Sequence, residues 1–505
     1  MARRYRFVIA ACCLLAAGLR LYKLNDANPW WDEGFTYWLA SQDVPGMLLR
    51  TAGDTHPPLS YLLYQLWMPL AGRAIYALRF QAVLFGVLTV PVCAALARRL
   101  AGQWAGVFAA LLLAISPFHI WWSQQIRMYA LVALLCALSM CLFVRATGLT
   151  HRPVALPGDA SLDAQHDKRG QRPEAKAGYG TLVALAGVNA AGLYTLYFFA
   201  VLVLLEGLFI SWLWVQRPNS QFPIPNSKQR VVLPLASCLL PAALLLPWLA
   251  YFRQHAITFA AEPSSPLTWP QFLEASWSEL TLGIDTGVQA YTPLLIGLGV
   301  VAASLLVLLL LRSDAIRKEN GPFRPWLLVV AAGLPLAAYG VTLLQGLFFS
   351  PAYQTRYDLP ALPALIVLLA WGIAEFRVPS SGFRVQSNFT RYSILGTRYF
   401  IFALFAGAAV WSLPRQYDSR HRTDDYQSLS RIVQAYERPG DVIVFDPDWN
   451  FHLFLLDYRG SLPWRAIPLN QHVDAAWANQ VFSGWSREYQ SLWLLQEAGG
   501  HDAGA

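Results

Sequence analysis

Hydrophobic and polar positions in this chain alternate in long blocks, not in the short periods of a soluble fold. Apolar runs recur at 5–23, 75–97, 103–121, 128–147, 179–194, 196–214, 232–252, 291–311, 326–348, 358–375 and 399–413. A helix of about 20 residues covers the hydrocarbon core of a bilayer, so the blocks predict an all-α polytopic membrane protein with about eleven transmembrane helices. Residues 179–214 read as two spans or as one bent element. The segment 24–74 is long, and its amphipathic stretches 35–49 and 59–70 read as helices lying in the membrane interface. The segment 148–178, rich in Arg, Asp, Gly and Pro, reads as a solvated linker.

From residue 414 the pattern changes. Residues 424–437 read as a helix opened by Asp424 or Asp425, Pro439-Gly440-Asp441 as a turn, and 442–446 and 491–495 as short strands. The expected organisation is a transmembrane domain over 1–413 and a small soluble α/β domain over 414–505. No fixed-period repeat and no Gly-rich phosphate loop occurs.

Composition supports the membrane reading: 56% of residues are hydrophobic and only 13% charged, against about a quarter charged in soluble proteins. The net charge of +8 does not point to nucleic acid, because its distribution has another cause. Arg3, Arg4 and Arg6, then Arg98 and Arg99, then Lys168, Arg169, Arg172 and Lys176 fall on one side if the spans alternate, as do Lys228, Arg230, Arg312, Arg317, Lys318, Arg324, Arg377, Arg384, Arg391 and Arg398. That is the positive-inside pattern. It places the N-terminus in the cytoplasm and the tail outside, in the periplasm for a bacterial inner membrane. The Arg-rich start and first apolar run read as an uncleaved first span. All six cysteines lie in apolar segments, which argues against a disulfide framework or a Cys-based metal site.

The polar groups expected on the outer face carry the chemistry. Asp32, Glu33, Asp54 and His56 come from the first outer loop, and Gln124, Gln125, Arg127 and Tyr129 from the junction of spans three and four. Tyr194, Thr195 and Tyr197, then Arg253 and His255, then Tyr353, Arg356 and Tyr357 follow at later junctions. Ionisable groups at membrane depth tend to mark functional sites. Arginine offers a planar fork suited to phosphate oxygens, and a carboxylate beside arginines stays ionised at neutral pH because opposite charge favours the charged form. Such a carboxylate next to a bound phosphoester can take a proton from an acceptor while the cations stabilise the departing phosphate.

Each residue also has a bland alternative. Asp32 and Glu33 could open a solvated helix, Pro57 and Pro58 could start one, and Arg127 could reach headgroups. Glu206, in mid-span and without an evident partner, reads as packing.

Five motifs in order raise a resemblance: Trp31-Asp32-Glu33, His56-Pro57-Pro58-Leu59-Ser60-Tyr61, Arg127-Met128-Tyr129, Tyr194-Thr195-Leu196-Tyr197 and Arg356-Tyr357-Asp358-Leu359-Pro360-Ala361-Leu362-Pro363. Over residues 1 to 375 the chain resembles GT-C-fold glycosyltransferases, in particular bacterial relatives of protein O-mannosyltransferases and lipid A aminoarabinose transferases. The resemblance implies a polyprenyl-phosphate-linked sugar donor and transfer on the outer face to a hydroxyl or amine of a lipid, glycan or protein. It implies Asp32 as general base with Glu33 beside it. His56 stands where the family has a phosphate-contacting basic residue, usually lysine in the aminoarabinose branch. Arg356 and Tyr357 match the late Arg-Tyr, and Arg253 is a further donor-phosphate candidate. Asp54, Tyr129, Tyr197 and Tyr353 complete the expected substrate-binding set. No obligatory cofactor or metal is expected. The competing reading is a secondary transporter or lipid flippase, although such proteins usually carry internal repeats and sites near the midplane.

Overall fold

The computed structural model describes residues 2–54, 56–147, 179–216, 229–255, 267–283, 291–311, 323–345, 354–376, 388–418, 425–446, 448, 451–468 and 474–496. The fold is mostly helical. In chain order the helices are α1 (Ala2–Leu21), α2 (Trp31–Ala40), α3 (Val44–Ala52), α4 (Leu59–Ala71), α5 (Ile75–Ala114), α6 (Pro117–Trp122), α7 (Tyr129–Ala146), α8 (Tyr179–Leu193), α9 (Phe199–Gln216) and α10 (Gln229–His255). They continue as α11 (Trp269–Leu282), α12 (Thr292–Leu311), α13 (Phe323–Gln345), a 3-10 turn (Thr355–Ala361) running into α14 (Leu362–Glu375), and α15 (Asn388–Gln416).

Among the described residues seven helical stretches are long and apolar enough to cross a membrane, and the apolar stretches Tyr179–Leu193 and Phe199–Trp212 are shorter. The chain is an integral membrane protein. The first of the seven, α5, holds two expected spans: Gly102 at φ 84° interrupts it, a left-handed conformation that glycine adopts without cost. The span expected to reach 121 stops earlier, at Ala114. Ser116 then caps the separate helix α6 by accepting from the His119 amide, and Pro117 occupies its first turn. The core is built where α5 packs against α1, α7 and α14, with Trp371, Phe118 and Tyr129 fully buried at its centre.

Two charges read from sequence as loop or unpartnered groups are paired inside the bundle. Arg324 is buried and donates twice from Nη2 to Glu375, at 2.9 and 2.7 Å, and from Nη1 to the Leu309 carbonyl. Glu206 does have partners: Ser139 Oγ lies 2.7 Å and Asn189 Nδ2 3.0 Å from its carboxylate. Both satisfy the rule that a buried charge needs partners. The expected linker 148–178 lies outside the described residues.

The interfacial stretch expected over 35–49 divides into α2, which ends at Ala40, and α3, which Asp43 caps by accepting from the Gly46 amide. Beyond α15 comes the small domain: α16 (Tyr426–Tyr436), β1 (Asp441–Asp446), α17 (Phe451–Asp457), β2 (Trp464–Ala466), α18 (Ala475–Glu488) and β3 (Ser491–Gln496). Asp425 caps α16. The sheet is parallel with order β2-β1-β3, and β1 is buried along its whole length, which suits its continuous apolar run. The three-residue β2 was not evident in the sequence pattern.

The small domain rests on α2 through α17. Gly34 makes this approach possible: a Cβ there would lie 2.9 Å from the Leu453 amide nitrogen. His452 meets the rings of Trp31 and Phe35 edge-on, and Leu456 joins Tyr37, Tyr64 and Ile126 in one apolar cluster.

Candidate active site

The first turn of α2 presents two carboxylates in different settings. Glu33 is fully buried. Its Oε1 accepts from Arg79 Nε (2.9 Å) and from the Ile126 amide (2.8 Å), and its Oε2 from Arg79 Nη2 (2.7 Å) and the Trp30 amide (3.4 Å). A carboxylate has about four acceptor sites, and here all are used. Arg79 also donates to the Leu24, Ala27 and Asn28 carbonyls, so the pair ties the segment leading into α2 to the start of α5.

Asp32 lines a cavity of about 820 Å³ with Trp30, Trp122, Glu279 and Arg356, and the Glu33–Arg79 pair forms another part of its wall. Its Oδ2 lies 2.5 Å from Arg356 Nη1 and 3.4 Å from Arg127 Nη2. Arg127 is buried and also donates to Thr36 Oγ1 at 3.1 Å. Burial alone would make Arg127 easier to deprotonate, but the Asp32 carboxylate, then the Tyr61 and Tyr129 hydroxyls and Asp54, outweigh it and hold the guanidinium charged. Arg356 stacks near Trp30, Tyr129 and Tyr357 with its Cζ 5.6–5.8 Å from each ring centre. Such aromatic walls favour a cation.

Several buried donors around this cavity lack a protein partner: Nε of Arg127, Nε of Arg356, Nε1 of Trp30 and Trp122, and the Tyr129 hydroxyl. Leaving a buried donor unmade costs about 1–3 kcal/mol, so such a set, three of its members on the lining residues Trp30, Trp122 and Arg356, favours a ligand rich in acceptor oxygens. The donor set around Asp32 does not suit a divalent metal. Two guanidinium groups already meet the carboxylate, and no three His, Cys, Asp or Glu side chains converge among the described residues.

Of the other residues expected from sequence, Asp54 and His56 do not line this cavity. Asp54 Oδ2 is 3.4 Å from His56 Nδ1 and accepts from the Tyr61 hydroxyl at 3.2 Å. Burial first, and the Asp54 carboxylate second, push the Tyr61 hydroxyl far up in pKa, so it remains a donor. Tyr197 accepts from Trp248 Nε1, and Tyr357 packs on Phe198. Arg253 is exposed and lines neither this cavity nor the groove near Pro58. Tyr353 lies outside the described residues.

Sequence reasoning missed Arg79, which sits inside an apolar block and reads as the start of a span. It also missed Glu279, which shares a very short hydrogen bond with Thr355 at the cavity wall. His452 was missed too. Burial pushes its pKa down to about 3, with Asp32 and a backbone bond to Trp31 pulling the other way.

Residues 55–156 match the sequence model of the Dolichyl-phosphate-mannose-protein mannosyltransferase family. The solved structure of ArnT from Cupriavidus metallidurans in the apo state superposes with a TM-score of 0.52 at 15% identity, covering 96% of this chain and 89% of that one. The chain has the GT-C glycosyltransferase fold. The same ArnT bound to undecaprenyl phosphate gives 0.52 at 14% identity, over 98% of this chain and 90% of that one. The Archaeoglobus fulgidus oligosaccharyltransferase tethered with an acceptor peptide gives 0.55 at 11% identity, over 95% of this chain and 68% of that one. No curated protein sequence matches this GT-C chain.

Proposed function

We propose that this GT-C protein is a glycosyltransferase that moves a sugar from a polyprenyl-phosphate donor to a hydroxyl or amine of a lipid, glycan or protein on the extracytoplasmic face. The observation that carries this reading is Asp32 facing a large cavity beside Arg127 and Arg356, whose buried Nε atoms have no protein partner. The protein-mannosyltransferase match over 55–156 and the likeness to a fold seen with undecaprenyl phosphate support the donor class.

Both arginine contacts to Asp32 fall on Oδ2, which leaves Oδ1 to receive a proton. The acceptor oxygen or nitrogen attacks the anomeric carbon as its proton passes to Asp32. The bond from that carbon to the phosphate oxygen breaks, and its electron pair leaves with polyprenyl phosphate. The single displacement inverts the anomeric centre. Arg127 and Arg356, with His56 nearby, meet the charge that builds on the phosphate, the kind of preorganised electrostatics that supplies much of enzymatic rate enhancement. Glu33, grouped with Asp32 as catalytic on sequence grounds, acts here as a positioning residue. A mostly apolar groove of about 570 Å³, lined by Leu48, Pro58, Leu59, Leu62, Trp248 and Tyr251 among others, begins two residues from His56 and suits a prenyl tail. The small domain, docked on α2 beside Asp32, helps to receive or cover the acceptor.

The test is reconstitution of the purified protein with a polyprenyl-phosphate sugar and membrane-envelope acceptors, with products read by mass spectrometry. Appearance of glycosylated acceptor with release of polyprenyl phosphate supports the proposal. Movement of the intact lipid across the bilayer with no new glycosidic bond would instead make the protein a flippase.

A further inference from the structure

We propose that a groove between α1 and α5, at the end of the bundle away from the Asp32 cavity, is a binding site for an anionic phospholipid. The groove has a volume of about 640 Å³ and is lined by Tyr5, Arg6, Arg98 and Arg99 together with apolar residues that include Ile9 and Pro91. Arg6 stands 14 residues before Arg20 on α1, and at about 1.5 Å per residue this separates it by roughly 21 Å from the end of α1 that leads to the active cavity. The two sites are therefore independent.

Three guanidinium groups converge there, and among the described residues no Asp or Glu lines the groove. Local structure fixes two of them. Arg98 lies over the Tyr5 ring with its Cζ 4.6 Å from the centre, and Tyr5 donates to the Ala94 carbonyl. Arg99 donates from Nη1 to the Cys141 sulfur and carbonyl. The Tyr5 position depends on Gly106, where a Cβ would stand 2.5 Å from the Tyr5 hydroxyl. The missing side chain there lets an aromatic ring hold an arginine at the groove.

The order of the lining residues decides the class of ligand. Tyr5 and Arg6 sit in the first turns of α1 and Arg98 and Arg99 beside them on α5, while Ile9, Cys13 and Pro91 lie further along the two helices toward the bilayer interior. That sequence of charge and then apolar wall matches an amphiphile whose phosphate meets the arginines and whose acyl chain follows the helices. A free phosphate would leave the apolar wall unused. Basic pockets between transmembrane helices bind such headgroups, and guanidinium groups suit phosphate oxygens.

The test uses the full chain in detergent, titrated with phosphatidylglycerol or phosphatidylcholine and observed by native mass spectrometry. We expect phosphatidylglycerol to saturate as a retained adduct that phosphatidylcholine does not form and that millimolar inorganic phosphate does not displace. An arginine at a membrane surface is worth about fivefold in anionic-lipid affinity, so Arg6→Gln with Arg98→Gln should weaken the adduct on the order of 25-fold. Arg98 is exposed, and Arg98→Gln alone, at about fivefold, covers the case in which the double variant misassembles. Equal retention of the two lipids, displacement by inorganic phosphate, or unchanged binding in Arg98→Gln would each overturn the proposal.

Discussion

Replacing Arg79 by alanine strands a carboxylate. In the native structure the Arg79 and Glu33 side chains are 3% and 0% exposed, and their closest contact is 2.7 Å. Without the guanidinium, Glu33 keeps only the amides of Ile126 and Trp30. Removing one partner of a buried pair costs about 3–5 kcal/mol, chiefly the penalty on the charge left behind. The carbonyls of Leu24, Ala27 and Asn28 lose their donor at the same time, which loosens the segment that sets the entry to α2. Glu33→Gln removes the negative charge but keeps the shape, so the double variant Glu33→Gln with Arg79→Ala should be less damaged than the two single losses added together. Denaturant unfolding of the purified proteins in detergent measures all four states. If Arg79→Ala unfolds within about 0.5 kcal/mol of the native protein, the range of ordinary surface substitutions, the reasoning fails, and Glu33 is not the anchor of the site.

Three further outcomes follow from the geometry. Gly34→Val should force α17 away from α2, at a cost of about 1–3 kcal/mol typical of overpacking, and limited proteolysis should then release the small domain faster than from the native chain. His452 titrates near 3 when docked and near 6.5 when exposed. The undocked state therefore binds more protons between those values, and docking weakens as pH falls from about 6.5 toward 3, by at most ~1.4 kcal/mol per pH unit. Hydrogen exchange of β1 and α17 across that range checks it, and His452→Phe should flatten the response. Arg356→Ala should lower affinity for the donor lipid, read by competition with polyprenyl phosphate, whereas Arg253→Ala, at an exposed position outside the cavity, should leave it unchanged.

What the sequence made legible, and what it did not, follows from how each signal is encoded. Hydrophobic blocks of span length report helices suited to the bilayer directly, so the long apolar helices could be placed from their pattern. The ending of α5 at Ala114 could not, because a single capping serine and the following proline decide it inside an apolar run. Asp32, Arg127 and Arg356 stand 95 and 324 residues apart along the chain from the acid, yet all three sit at helix junctions where charge is conspicuous, and the fold brings them together. Arg253 carries the same signal and faces solvent. Position at a junction names the candidates but not the direction of a side chain. Arg79 and Glu206 were opaque for the opposite reason. Their partners are 46 residues away in one case and 17 and 67 in the other, and nothing local announces a long-range pair. The adjacent acids show the limit most sharply: sequence groups Asp32 with Glu33, and only the helix rotation between them gives Glu33 to Arg79 and Asp32 to Arg127 and Arg356.

The central claim is that Asp32 receives the proton of the acceptor during sugar transfer. Single-turnover transfer by Asp32→Asn, with donor-lipid binding measured on the same preparation, tests it most directly. The account predicts bound donor and a transfer rate reduced by about 10²–10⁴, the range for loss of a general base. Transfer within a few-fold of the native rate, with donor bound, would contradict it.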